Sequence, residues 1–309
     1  MSRESLAVLD FVEQPEVIYR NGFRIGGVSV ELASSRYEDV AFASPLDRFQ
    51  TECGVPDIAI QVEWLPYLSM APARQLFDSG YTWRLHEAGS SGFRFDFFVP
   101  KFGTLPIKRL LINADFSSAT LQMNESSFVG VSSVPSPLEY PLDELLIMHR
   151  LTQENAIELH GCGIVSADGA GNLFVGYSGA GKSTTTRLWT SREDVEVLSD
   201  DRIIVREHSG QMSMYGTPWH GEAHFALAQD APLNRIFVLE HGQGNVLTRL
   251  TRSQMVAELF ARSFVPFYCH RYVDHALHFL ERVADSVPCY RYSFEPDGRA
   301  VERILNLRD

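Results

Sequence analysis

Gly176-Tyr177-Ser178-Gly179-Ala180-Gly181-Lys182-Ser183 fits the pattern G-x4-G-K-[ST] at every fixed position. The flanking sequence supplies the context this pattern requires. Leu173-Phe174-Val175 is a short apolar run ending at a glycine and reads as a buried strand, and Ser183 to Arg192 reads as a helix. Strand, glycine loop and helix in that order form a phosphate cradle, because the glycines let successive N–H groups turn inward and the helix N-terminus adds partial positive charge. Gly176, Ser178, Gly179, Ala180, Gly181, Lys182, Ser183 and Thr184 are therefore the expected nucleotide-contacting positions. Lys182 is expected to reach the terminal phosphates and the Ser183 hydroxyl to ligate Mg²⁺.

Composition bounds the rest. The 309 residues suffice for one large domain or two ordinary ones, and 45% hydrophobic with 21% charged residues is the balance of a soluble globular chain. A net charge of −12 argues against a nucleic-acid partner, which needs a basic face to displace counterions. No stretch approaches the roughly 20 apolar residues of a membrane span. The first residues, with Arg3, Glu4, Asp10 and Glu13, lack a signal-peptide pattern, so the expected location is cytoplasmic. Cys53, Cys162, Cys269 and Cys289 have no C-x-x-C spacing and read as reduced and structural.

Short β-rich segments, Ile25 to Leu32, Asp57 to Trp64, Tyr81 to His86, Phe93 to Val99 and Lys108 to Ile112, alternate with Gly, Pro, Ser and Asp clusters and predict a mainly β N-terminal domain over 1–135. Ser132 to Pro137 reads as the connection. Leu142 to Asn155 then has helical spacing and opens the second domain, 136–309. Within it Ile157 to His160, Gly161 to Val165, Val195 to Ser199 rising into Asp200 to Val205, and Gln211 to Tyr215 read as strands, and Met255 to Phe264 and Val273 to Val283 as helices.

Three features surround the loop. Asp200-Asp201 closes an apolar run, where a carboxylate at a strand end beside a phosphate loop either holds Mg²⁺ or takes a proton from an attacking hydroxyl. Adjacent strand residues point to opposite faces, so the two divide. His160-Gly161 ends a strand before the loop, and a histidine near a carboxylate can orient it. Thr217-Pro218-Trp219-His220-Gly221-Glu222 offers Glu222 to a metal and His220 to phosphate, or forms only a rigid aromatic turn.

Taken in order, Leu159-His160-Gly161, Gly176 to Ser183 and Leu198-Ser199-Asp200-Asp201-Arg202 resemble the catalytic core of HPr kinase/phosphorylase and the HPr-kinase-like serine kinases, over about residues 140 to 240. The resemblance implies an α/β (α+β) fold, a P-loop domain like that of phosphoenolpyruvate carboxykinase and the C-terminal part of HPr kinase, behind a variable N-terminal domain. It implies ATP and Mg²⁺ as cofactors and a peptide or protein hydroxyl, serine foremost, as acceptor. It further implies Asp200 as the base, His160 close to it, and Asp201, Ser183 and Glu222 serving the metal. Tyr177 stands where the family loop has aspartate, and Pro218 to Glu222 stands where the family has a glycine-rich signature. Arg202, Arg235 and Arg262 are candidates to meet the transferring phosphate. The alternatives are a nucleotide-binding regulatory or scaffold protein without catalysis, a nucleotide hydrolase, and a carboxykinase-like enzyme on a small acid. Oligomeric assembly is left open.

Overall fold

Gly26 and Gly27 have φ of 56° and 83°, a left-handed pair that closes a two-residue hairpin and that residues with a Cβ resist. In the computed structural model, which describes residues 17–307 except 71, 90, 91, 133 and 193, this hairpin joins β1 (Tyr19–Ile25) to β2 (Val28–Ser34). The single strand expected over Ile25 to Leu32 is thus two antiparallel ones. The positions read for a leader, Arg3 to Glu13, and Ser133 of the connection lie outside the described residues.

The first sheet continues with β3 (Ile58–Leu65), β4 (Gln75–Asp78), β5 (Trp83–Ala88), β6 (Gly92–Phe97), β7 (Lys108–Asn113) and β8 (Ser118–Asn124). Its order is β1-β2-β3-β8-β7-β6-β5-β4, with β3 parallel to both its neighbours. In β3 the alternation is clean: Ile58, Ile60 and Val62 are buried, while Ala59, Gln61 and Glu63 face solvent. The buried face receives α1 (Leu142–Leu151) through Leu142, Leu145 and Leu146.

The second sheet has nine strands: β9 (Ala156–Val165), β10 (Gly171–Val175), β11 (Glu196–Ser199), β12 (Arg202–His208), β13 (Gln211–Tyr215), β14 (Asp230–His241), β15 (Val246–Arg249), β16 (Ser263–Phe264) and β17 (Cys289–Phe294). Because β10 pairs with both β9 and β14, the strands β9, β12, β13, β14 and β10 close into a ring. The helices are α2 (Lys182–Thr190), α3 (Arg252–Phe260), α4 (His270–Ser286) and α5 (Gly298–Leu305). Alternation along β10 feeds two cores. Leu173 and Val175 pack with Met255, Phe279 and Leu280 of α3 and α4, while Phe174 packs with Trp189 of α2 and Ile304 of α5. The fold class is mixed α/β with two sheets.

Two sequence expectations need correction here. The helix read over Met255 to Phe264 stops at Phe260, and Ser263–Phe264 pairs with Leu159 and Glu158 of β9 instead. The segments 157–160 and 161–165 are one continuous strand. All four cysteines are free, and burial pushes the thiols of Cys162 and Cys289 up to about 12. No helix of the described residues is long and apolar enough to cross a membrane.

A third core is shared by the two sheets. Ile204 of β12, Trp219 and Ala226 belong to the same buried cluster as the first sheet, and a Cβ at Gly26 would lie 2.5 Å from Ile204 Cδ1. Gly80 has a comparable φ of 86° in open space. Gly80→Ala therefore incurs only the left-handed backbone cost, about 1 kcal/mol. Gly26→Ala is expected to cost about 1–3 kcal/mol more, from the clash with a fully buried side chain. Urea unfolding of the two variants measures the difference, and equal losses would show that the hairpin does not press on Ile204.

Candidate functional site

Strand β9 is where the site is assembled. A Cβ at Gly161 would lie 2.9 Å from the Phe174 carbonyl and 3.2 Å from Val175 Cγ1, so only glycine lets β9 approach β10 this closely. The residues on either side of that contact reach every part of the site. Gly161 N–H donates to Asp201 O at 3.0 Å, Gly176 N–H to His160 O at 3.5 Å, and His160 N–H to Arg262 O at 2.8 Å.

The loop itself runs from the end of β10 into α2. Gly179 and Gly181 have φ of 83° and 103°, and Gly181 is the N-cap residue of the helix. A side chain at Gly176 would meet Ala180 Cβ at 2.6 Å, and one at Gly181 the Phe294 ring at 2.7 Å. The glycines are thus set by close approach as well as by φ. The tip, Ser178 and Gly179, is exposed, while Ser183 and Thr184 in the first helical turn are half-buried. His241 Nε2 lies 2.6 Å from Gly179 O and anchors the tip. Lys182 is 7% exposed. Its ammonium donates to the carbonyls of Gly176 (3.1 Å) and Tyr177 (3.4 Å). Burial pushes its pKa down, against the opposing charge of Asp201.

The aspartate pair divides between two environments, as adjacent residues at a strand end should. Asp200 is 2% exposed. Its Oδ1 accepts from Gly221 N–H (3.0 Å) and Phe225 N–H (3.3 Å), and its Oδ2 from Ala223 N–H (2.8 Å). It ties down the turn 221–225. The Asp201 side chain, 27% exposed, meets His160 Nε2 through Oδ1 at 2.9 Å and the Arg202 guanidinium through Oδ2. Burial alone would raise the Asp201 carboxyl, but the His160 hydrogen bond and the Arg202 charge outweigh it and hold the group below the usual carboxylate range. His160 was expected beside Asp200, and its hydrogen bond is to Asp201 instead. The cause is the outward turn of Asp201 towards β9, while Asp200 faces the 221–225 turn.

The three arginines separate as clearly. Arg202 bonds Glu144 Oε1 at 2.9 Å and lies 3.6 Å from Glu158 Oε1, with its guanidinium 4.1 Å from the Phe264 ring centre. Glu158 is fully buried, and desolvation, then the neighbouring Glu144, raise its pKa. Arg235 donates to Leu307 O at 3.0 Å, near the C-terminal helix. Arg262, with a side chain 5% exposed, holds Glu258 Oε2 at 2.6 Å and lies 4.2 Å from the ring centre of Tyr177 in the loop. It is the arginine at the cradle. The sequence reading missed Glu144, Glu158, His241 and the Tyr177–Arg262 stack. A glutamate inside the apolar run Ile157-Glu158-Leu159 was the available signal for a buried acid.

Glu222 is exposed on the turn that Asp200 anchors, and His220 and His224 stack edge to face beside it at 4.6 Å. Among the described residues no three His, Cys, Asp or Glu side chains converge on a metal position. The residues expected at the metal are Ser183, Asp201 and Glu222. That donor set suits Mg²⁺, which takes one or two carboxylates and completes its shell with phosphate oxygens and water.

No family model matches the chain, and no curated protein matches it. Among solved structures, the Hpr(Ser) kinase/phosphatase from Coxiella burnetii is similar over 48% of this chain and 93% of that one, with a TM-score of 0.30 and 11% sequence identity. A score and identity this low assign neither fold nor activity.

Proposed function

We propose that this chain is a Mg²⁺-dependent phosphotransferase that moves the γ-phosphoryl group of ATP to a hydroxyl of a peptide or protein acceptor. The observation that carries the reading is the convergence at His160-Gly161, whose backbone bonds both Gly176 of the loop and Asp201. A pure nucleotide binder needs the cradle alone. Here a carboxylate–histidine pair, partly open to solvent, is held against the cradle by main-chain bonds.

In this reading the loop N–H groups and the start of α2 hold the phosphates. Lys182 leaves the carbonyls of Gly176 and Tyr177 to meet the terminal phosphate, and Arg262 is placed to neutralise charge beside it. Ser183 would hold Mg²⁺, which would supply charge neutralisation at the phosphates, while Asp201, expected at the metal, serves with His160 for the proton. The acceptor hydroxyl attacks phosphorus as its proton passes to the Asp201–His160 pair, the new O–P bond forms, the β–γ bridge breaks and ADP leaves. Asp200, with three of its acceptor directions filled, takes the structural part and not the base role expected for it. Glu222 stays a peripheral candidate for the metal's water shell.

The test uses γ-labelled ATP, Mg²⁺ and a cell lysate as the acceptor source. The expected result is an acid-stable label on a hydroxyl-bearing acceptor. Asp201→Asn is expected to reduce transfer by about 100-fold or more with Mg-ATP affinity within several-fold. Nucleotide binding without label would instead favour the regulatory binder. Asp200→Ala separates the two aspartates by a different readout. Loss of three charge-assisted hydrogen bonds made by a buried carboxylate is expected to cost about 2–4 kcal/mol in urea unfolding. Asp201→Asn is expected to cost under about 1 kcal/mol. Equal stability of the two variants would remove the structural assignment of Asp200.

A further inference from the structure

A cleft of about 420 Å³ is lined in part by Asp201 and Arg202. Its walls come from parts of the chain far apart in sequence: residues 43–46 after β2, residues 138–140 before α1, residues 218–220 of the Pro-Trp-His turn, and Asp143, Asp201 and Arg202. Its size falls in the range of small-ligand sites, about 300–1,000 Å³. It admits a small molecule or a few residues of an extended peptide, and it excludes a folded surface.

The charges on its walls are one-sided. Glu139, Asp143 and Asp201 line it against Arg202 as the fixed cation, and Arg202 is already engaged by Asp201 and by Glu144 behind it. Asp143 is 5% exposed and uses Oδ2 to accept from Trp219 Nε1 at 2.8 Å and Oδ1 to accept from Glu144 N–H at 2.8 Å. Those bonds fix the indole and the carboxylate together. Desolvation pushes the Asp143 carboxyl up to about 6, against the Trp219 and Glu144 N–H hydrogen bonds and, last, the charge of Lys108. The second aromatic, Tyr140, is 62% exposed at the mouth. Carboxylates with aromatic faces are the lining that holds an ammonium or guanidinium, and walls of one sign concentrate such a ligand from solution.

Resting on the phosphotransferase reading above, we infer that this cleft is the acceptor site and that it selects a hydroxyl compound carrying a cationic group, seated between Glu139, Asp143, Tyr140 and Trp219 with its hydroxyl towards Asp201. The shared chemistry is a hydroxyl near an ammonium or guanidinium. It has two sources, a small amino alcohol or a serine flanked by basic residues in a peptide.

The experiment compares matched probes of opposite charge with the full chain in Mg-ATP: acetyl-Lys-Ser-Lys-amide against acetyl-Glu-Ser-Glu-amide, and ethanolamine against glycolate, each read by saturable binding and by labelled transfer. A cationic probe is expected to bind and accept phosphate while its anionic counterpart does neither, and the pair that responds names the source. Glu139 is exposed, so Glu139→Lys tests the site without disturbing the core. It is expected to raise the cationic probe's KM about fivefold, Glu139→Gln by an intermediate factor, with Mg-ATP affinity within twofold. Equal or preferred use of the anionic probes, no binding of either cationic probe while Mg-ATP binds, or an unchanged KM in Glu139→Lys would overturn the inference and leave the nucleotide reading intact. Failure to bind Mg-ATP at all would instead remove the reading on which it rests.

Discussion

The close contact of β9 with β10 at Gly161 is the constraint from which the site follows. With a Cβ there 2.9 Å from the Phe174 carbonyl, the two strands would have to part. Strand β10 delivers the loop and β9 delivers His160, so their separation would move the cradle away from the Asp201–His160 pair. The same strand is also the most heavily shared in the fold. Its first half pairs with β12 and β16, and its second half with β10 and β11. A strand committed on both edges along its length has little freedom to shift register. Placement of the site is therefore a property of the whole second sheet.

Around Arg202 the electrostatics are arranged for position more than for stability. Three carboxylates, Glu144, Glu158 and Asp201, crowd one guanidinium. One cation cannot neutralise them all. The pKa of the buried Glu158 is raised by desolvation and by Glu144. Asp201, partly open, keeps its charge, because His160 and Arg202 both favour the ionised form. The cluster thus moves neighbouring acids in opposite directions, the interior Glu158 up and the more open Asp201 down. The charge is kept on the member that is open to solvent.

What could be read from the sequence was the part decided by local chemistry. The loop, the strand before it and the helix after it were legible because glycine spacing and a switch from β to helical periodicity are local signals, and α2 falls within a residue or two of the expected span. Residues Gln211 to Tyr215 form β13 with the bounds expected. The hairpin at Gly26-Gly27 was a missed local signal, since two adjacent glycines inside an alternating run mark a turn. Strands β14, β15 and β17 were not anticipated, because their identity rests on pairing across long sequence separations and not on any nearby turn code. The division of labour between Asp200 and Asp201 was half legible. Alternation says that two neighbours on a strand face apart, but which one faces the solvent depends on the turn 221–225, twenty residues away, presenting three N–H groups to Asp200.

That turn also explains why the first sheet matters to a site built on the second. Asp200 holds residues 221–225, which fixes Trp219 and His220 immediately before them. Trp219 in turn bonds Asp143 at the start of α1, the helix that covers the first sheet. Further contacts run in parallel: Arg206 donates to Gly26 O at 2.6 Å and Arg48 to Ala226 O at 3.4 Å. A displacement of the first sheet would therefore pull on Asp143, on the Trp219 turn and, through the turn, on Asp200 beside Asp201. Since residues 43–46 also form one wall of the acidic cleft, the N-terminal half contributes shape to the site as well as support. A chain whose cradle is built from the second sheet alone still needs the first to define what can approach Asp201.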